Sequence, residues 1–352
     1  MAAETKSVMG FFKAPLLRYL VIRFLLIIPT VFILVSMVFF VMRAIGDPIT
    51  AALGGRLTPT ELHKRIHAAG YDRPVWVQYL EYLGNIARGD FGHTLSTNQT
   101  IGDLFATYGV ATLELTVYAV IIALALGIPL GMVAARNRDT GKDAFSRLFA
   151  ILAYATPVFF VGLLLKLIFG VAIPILPIAG RASVSTELML QTIPGSSGFF
   201  LIDALRTGDA GLILDVLSHA VLPSMALGLL TAGIFLRLVR TNMIGTLNTD
   251  YVDAARSRGV SEYRLVSKHA YKPALIPVIT VIGMQIAVLL SGAVLTETTF
   301  EWKGLGFELA AFLNARDFVA VQGIVALLAV IIAVTNFIVD VLAAIIDPRI
   351  KF

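Results

Sequence analysis

Residues Asp250–Pro277 read DYVDAARSRGVSEYRLVSKHAYKPALIP, a polar and strongly basic island between two long apolar runs. Its opening has helical spacing: Asp250 is placed to cap an N-terminus, and Tyr251, Ala254 and Ala255 fall on one face. Gly259 suits the left-handed position just beyond a helix end. A second start follows at Ser261, with Glu262 in the first turn and Pro273 and Pro277 beyond. The expected shape is helix, glycine elbow, helix, lying outside the bilayer between two spans. The plain alternative is an ordinary basic loop.

The 352 residues are 57% hydrophobic and 14% charged, with a mean hydropathy of +0.84. Soluble domains carry roughly 25% charged residues, so this composition is that of a polytopic membrane protein. No cysteine is present, which excludes a disulfide framework, thiolate metal ligands and a cysteine nucleophile. The net charge of +5 invites a nucleic-acid reading. The basic residues sit beside apolar runs, however, so positive-inside topology explains them and no nucleic-acid partner is expected. The first apolar run is too long for a cleavable signal, lacks a small-residue cleavage site, and reads as a signal anchor.

Six runs are apolar enough to span: about 19–44, 110–135, 148–173, 219–239, 275–296 and 319–346. A polar arm, residues 1–18, precedes them. Arg23 lies where a long side chain snorkels, and Pro29 marks a kink rather than a stop. Residues 46–109 form a folded loop of mixed charge, amphipathic near Thr60–Ala69. Residues 178–217, polar and glycine-rich with a short helical piece around Phe199–Leu205, and residues 297–318 form two further loops on the same side. Gly127 and Gly131 in the second span, and Gly283, Ala287 and Ser291 in the fifth, are small-residue stripes that permit close helix approach.

The N-terminus, the 136–147 and 237–272 loops and the C-terminus hold about 17 of the 28 Lys and Arg residues, against about 10 in the longer remaining loops. Both termini and the 240–273 loop are therefore cytoplasmic. The reading is an all-α, six-span membrane protein.

Two resemblances sharpen it. Asp253-Ala254-Ala255, followed three residues later by Gly259, resembles the EAA loop of ABC importer permeases. Asp253 stands where many members have Glu, and Pro273 falls one position late. Over nearly its whole length the chain also resembles the dipeptide/oligopeptide/nickel class of these permeases. The matching motifs, in order, are Gly46-Asp47-Pro48, Asp72-Arg73-Pro74, Arg88-Gly89-Asp90-Phe91-Gly92, Thr112-Leu113-Glu114-Leu115, His219 with Leu222-Pro223, Trp302-Lys303-Gly304-Leu305-Gly306, Arg316-Asp317 and Asp347-Pro348-Arg349. Residues 181–216 are longer than the resemblance leads one to expect. The resemblance implies a type I ABC importer permease fold in the bacterial inner membrane, working by alternating access. It also implies that the 240–273 loop couples to partners, with Tyr251, Asp253, Ala254, Ala255, Arg256 and Gly259 as the coupling residues. Implied partners are a second homologous permease, two cytoplasmic ATPases that carry ATP and Mg, and an extracytoplasmic binding protein delivering peptides, nickel or other small cargo.

The residues support part of this independently. No G-x-x-x-x-G-K-[ST] occurs, so ATP chemistry belongs to a partner and no cofactor is expected on this chain. H-E-x-x-H and G-x-S-x-G are absent too, which argues against an intramembrane enzyme. Charges cluster at span ends, which argues against a stand-alone secondary transporter. Glu114, Gln285 and Glu297 are candidate gate or pore residues, with helix-end solvation the alternative for Glu114, and Thr280 is a further pore candidate. Lys166 is expected to snorkel, and Asp340 to pair with an Arg near the inner surface. His63 and His67 have zinc-binding spacing but no third ligand, so no metal site is expected.

Overall fold

The computed structural model describes residues 14–55 and 57–346, without the side chains of 14–17, 280, 291–292 and 343–346. Most of the 1–18 arm, the Asp347-Pro348-Arg349 motif, and the side chains of Thr280 and Ser291 thus lie outside the described residues. Regular structure among the described residues is helical, apart from one bridge between His93 and Thr100.

Helix α1 (Ala14–Ile45) carries Pro29 without interruption. Three short helices follow: α2 (Pro48–Leu53), α3 (Pro59–Ala68) and α4 (Val75–Ala87). Each of the first two begins at a proline behind a side-chain cap, Asp47 and Thr58. Helix α5 (Ile101–Leu104) passes through a π-helical turn, Phe105–Gly109, into α6 (Val110–Arg136), giving one apolar helix over Ile101–Arg136.

The third apolar run is broken. Helix α7 (Gly141–Ala155) meets α8 (Val158–Lys166, extended by a π-helical turn to Ala172) at 103°. Thr156 is extended, with φ −88° and ψ 128°, the geometry that the ring of Pro157 favours for the residue before it. Short helices α9 (Val184–Thr192) and α10 (Phe200–Thr207) lead to α11 (Ala210–Leu247), which begins well before His219 and contains Pro223. The next connection holds α12 (Asp250–Ser257) and α13 (Glu262–Arg264); α14 (Tyr271–Gly292) follows, and the stretch from Glu262 to Leu290 bends by 40°. Helices α15 (Val294–Phe300), α16 (Leu305–Asn314) and α17 (Phe318–Ile346) complete the chain. Among the described residues, four helices are long and apolar enough to cross a bilayer, or six if each bent pair is one span.

The centre of the bundle is the seam between α6 and α11. A Cβ on Gly127 would stand 2.7 Å from the Cβ of Phe235; one on Gly131 would stand 2.7 Å from the Cβ of Val239 and 2.8 Å from the carbonyl oxygen of Leu236. One on Gly228 would meet the carbonyl oxygen of Ala119 at 2.8 Å. The two backbones therefore touch at places where only hydrogen fits, and Ala123, Ala232, Phe235, Val239 and Val278 fill the rest. A second seam joins α1 to α17, where Phe24 packs edge-on against Phe337 and Arg23 Nε lies 3.4 Å from Asp340 Oδ2. In the fifth run, Gly283 lies against Val339 of the same helix α17.

A Gly131→Val protein should unfold at a lower temperature in detergent, by the ~1–3 kcal/mol typical of overpacking. Gly245→Ala, on the other seam helix α11 but with nothing within 4 Å of the new methyl, should be as stable as the parent or slightly more so. Equal thermal stability for both variants would mean that close approach does not set this packing.

Candidate functional site: a helical handle and a buried clamp

Helix α12 starts from Thr249, extended at φ −93° and ψ 150°, so Thr249 rather than Asp250 occupies the cap position and Asp250 enters the first turn. It ends in a glycine turn. Gly259 has φ +79°; its N–H donates to the carbonyl of Arg256 (2.9 Å), and the Val260 N–H donates to that of Ala255 (3.3 Å). These are the paired bonds of a Schellman closure, and Val260 completes it by packing on Val252, Ala255 and Leu265.

The helix has two faces. Val252 and Ala255 are buried against Leu247 and Leu265, while Tyr251, Ala254 and Arg258 are exposed on the other side. Of the two alanines singled out in the sequence, one packs on the protein's own bundle and the other does not. Arg256 pairs with Asp253 and, through Nε, with Glu262 Oε1 at 2.8 Å, tying the helix to the start of α13. The Tyr251 hydroxyl donates to the carbonyl of His269 (3.4 Å). Val266, Ala270 and Ala274 then pack on Ala135 and Met243, so the whole loop is seated on the inner ends of α6 and α11.

At the opposite end, Glu114 and Arg181 form a buried pair (2.5 Å; side chains 1% and 7% exposed). The other oxygen of Glu114 accepts from the Tyr118 hydroxyl (2.7 Å) and the Leu201 N–H (3.0 Å). Arg181 Nη2 also donates to the carbonyl of Gly198, and its guanidinium lies 3.7 Å from the centre of the Phe200 ring. Below it, Glu297 is fully buried, accepting from Thr112 Oγ1 (2.6 Å) and the Phe307 N–H (2.9 Å). Thr112 Oγ1 in turn accepts from the Leu305 N–H, and Trp302 Nε1 donates to the carbonyl of Ala111. A Cβ on Gly304 would lie 2.6 Å from the Glu297 carboxylate, and one on Gly306 3.0 Å from it. The Trp302–Gly306 motif is therefore the wrapping of a buried carboxylate onto the outer end of α6.

The same end is pinned elsewhere. Asp215 Oδ2 accepts from the Ser183 N–H and hydroxyl, and Asp317 Oδ2 from those of Ser96. Lys166 donates to the carbonyl of Thr299 (2.7 Å). Beside the clamp opens a cavity of about 580 Å³, lined by Tyr108, Arg181, Glu187, Gln191, Phe200 and Lys303 among others. In the loop 196–203, the fully buried Asp203 accepts from Ser196, Ser197 and Gly198. Burial alone would raise its pKa; the bonds from Ser197, Ser196 and Gly198 outweigh it and hold the carboxyl below the usual range.

Thus Glu114 and Glu297 lie in packed surroundings, joined through the outer end of α6, while Gln285 is half-buried on α14, apart from both. Sequence reasoning missed two members. Arg181 was hidden in the loop least covered by the resemblance. Asp143, fully buried, takes both Arg240 Nε (2.6 Å) and Nη2 (2.8 Å) and so locks α7 to the inner half of α11. No local pattern announces a partner so distant in sequence.

The fold is that of an ABC importer permease. It is similar to a chain of the MetNI methionine ABC transporter solved in inward-facing conformations, with a TM-score of 0.51 over 68% of this chain and 94% of that one, at 13% identity. Residues 127–352 match the family described as "Binding-protein-dependent transport system inner membrane component", and residues 16–109 its N-terminal region. Over 338 residues, 96% of this chain and 99% of each relative, it is 37% identical to the di/tripeptide transport system permease protein DppB of Pseudomonas aeruginosa and to the dipeptide transport system permease protein DppB of Escherichia coli. It is 35% identical to the probable D,D-dipeptide transport system permease protein DdpB of Escherichia coli, over 87% of this chain and 88% of that one. The chain belongs to the family of binding-protein-dependent transport system inner membrane components: it is a multi-pass permease subunit of the inner membrane, non-catalytic, and part of a larger ABC transporter.

Replacing Glu114 by Gln leaves the Arg181 guanidinium buried without a counter-charge, a loss of ~3–5 kcal/mol in comparable buried pairs. The expected result is early proteolysis within 181–207 and a lower unfolding temperature, partly restored by the apolar double variant Glu114→Leu/Arg181→Met. Asp203 gives a pH signature. Its depressed pKa contributes stability above the ordinary carboxylate value of ~3.9, and that contribution is lost as pH falls through the depressed range. Exchange protection of the Ser197 and Gly198 amides, corrected for intrinsic rates, should be level from neutral pH down to about 5 and fall below about 4.

Proposed function

We propose that this chain forms one half of a heterodimeric pore for di- and oligopeptides, paired with a second homologous permease. Two cytoplasmic ABC ATPases would bind ATP and Mg and act on α12, and an extracytoplasmic binding protein would deliver cargo to the external loops. The peptide assignment is supported by the names of relatives that match this chain end to end.

The observation that carries the coupling mechanism is the two-faced helix α12. Tyr251, Ala254 and Arg258 form a small, shallow face free of large side chains at its centre, suited to a groove on a partner. Val252 and Ala255 fasten the opposite face to the bundle. Asp253 and Arg256 brace it, and Gly259 fixes its exit. A push on α12 is thereby delivered to the inner ends of α6 and α11. In this reading Glu114 and Glu297 act on the gate indirectly, by holding the external loops, and Gln285 is the residue assigned to the translocation path.

Mild-detergent purification of the tagged chain from its native membrane should recover two ATPases and a sister permease. Ala254→Trp should abolish ATPase recovery and peptide uptake while the protein inserts normally. Gly259→Val should abolish uptake with normal insertion as well. Undiminished uptake by both variants would remove α12 as the coupling element.

A further inference from the structure

Helix α4 sits deeper than an external loop helix should. Arg23 and Arg43 bound an uncharged stretch of α1, and at 1.5 Å per residue they are ~30 Å apart, one hydrocarbon thickness. On that scale Ser36 lies ~10 Å inward of Arg43, below the level of the outer headgroups. The Tyr79 hydroxyl of α4 shares a 2.6 Å hydrogen bond with Ser36 Oγ. Its ring packs on Phe39 and Phe40, with centroids 5.3 and 5.0 Å away, and Tyr82 stacks on Phe39 at 5.3 Å. Upstream, the Arg43 guanidinium lies 4.5 Å from the centre of the Tyr71 ring. The chain therefore passes Arg43 at Tyr71 and descends along α1 to Tyr79.

On the inner face of α4, Gln78 Nε2 donates to the carbonyls of Tyr71 (3.0 Å) and Arg73 (2.7 Å). The outer face is apolar, with Val75, Trp76 and Leu80 exposed by 46, 66 and 59%. It continues the exposed surface of α1 at Met37, Phe40 and Val41, since Phe40 packs directly on Tyr79. The charges nearest to it, Arg73 and Glu81, neutralise each other in a two-pronged pair at 2.5 and 2.7 Å.

We infer that α4 is inserted in the outer leaflet, with Val75, Trp76 and Leu80 seated among lipid acyl chains and the rest of the 46–109 loop in water. Lipid is the occupant because the face is continuous with the bilayer-facing surface of α1, lies at hydrocarbon depth, and carries the aromatic residue favoured at membrane interfaces. The loop is then fixed to the membrane on one side and to α1 on the other. This anchoring is independent of what the transporter carries.

The chain has two tryptophans, Trp76 and the fully buried Trp302, so Trp76→Phe isolates the emission of Trp76 by difference. The full chain would be reconstituted in phosphatidylcholine vesicles with and without acyl chains brominated near the headgroup. The expected Trp76 emission is blue-shifted, loses about twofold or more of its intensity to brominated lipid, and is little affected by aqueous iodide. Leu80→Trp in the Trp76→Phe background, one turn along the same face, should behave alike. Emission quenched by iodide and not by brominated lipid would overturn the proposal in favour of a face open to a soluble partner. Emission insensitive to both would overturn it in favour of a face covered by protein.

Discussion

The arrangement depends on how closely α6 and α11 approach. At Gly127, Gly131 and Gly228 the space between the helices has no room for a methyl group, so the two backbones behave as one packed body. Both helices of that body are long and apolar enough to cross a bilayer. Helix α11 has 38 residues, ~57 Å at 1.5 Å per residue. Near its outer end Asp215 holds Ser183; toward its inner end Arg240 holds Asp143, and α12 follows directly. The outer end of α6 carries Ala111, Thr112 and Glu114, on which two external segments are fastened. Handle and clamp are thus opposite ends of a single rigid pair.

The clamp is costly chemistry. A buried carboxylate–guanidinium pair gives up hydration that its mutual attraction only partly returns, and apolar residues of the same volume would often hold the loop as firmly. What charges add is register. Arg181 has one arrangement in which it meets Glu114, the Gly198 carbonyl and the Phe200 ring at once, so the 181–200 segment has one seat. Glu297 does the same for the Trp302–Phe307 segment through Thr112 and the Phe307 amide.

Much of the fold was legible in the sequence because its signals are local. Apolar length gave the candidate spans, and the spacing of Gly259 from Asp253 gave the elbow that the positive φ now explains. The 103° break between α7 and α8 was present as Thr156-Pro157, yet proline also sits undisturbed at Pro29, Pro129 and Pro223, so the residue alone does not say which helix breaks. The clamp and the Asp143–Arg240 lock were illegible for another reason. Their members are far apart along the chain, and each acidic residue taken singly looks like one solvated at a helix end. The motif Trp302–Gly306 was legible as a pattern; its purpose required knowing that a carboxylate sits where two β-carbons would be.

Glycine does three different jobs in this chain, and the difference bears on which positions tolerate change. At Gly127 and Gly131 the demand is on the neighbouring helix, since any side chain pushes α11 away. At Gly304 and Gly306 the demand comes from the Glu297 carboxylate, which fills the place of a side chain. At Gly259 nothing lies within 4 Å of the missing β-carbon, and the demand is only on φ. Crowding can be relieved by shrinking a neighbour, whereas a left-handed backbone cannot be repaired from outside. Compensation by a second substitution is therefore available at Gly304, where only side-chain atoms of Glu297 intrude, and not at the seam, where the carbonyl oxygens of Ala232 and Leu236 do, nor at the turn that closes α12.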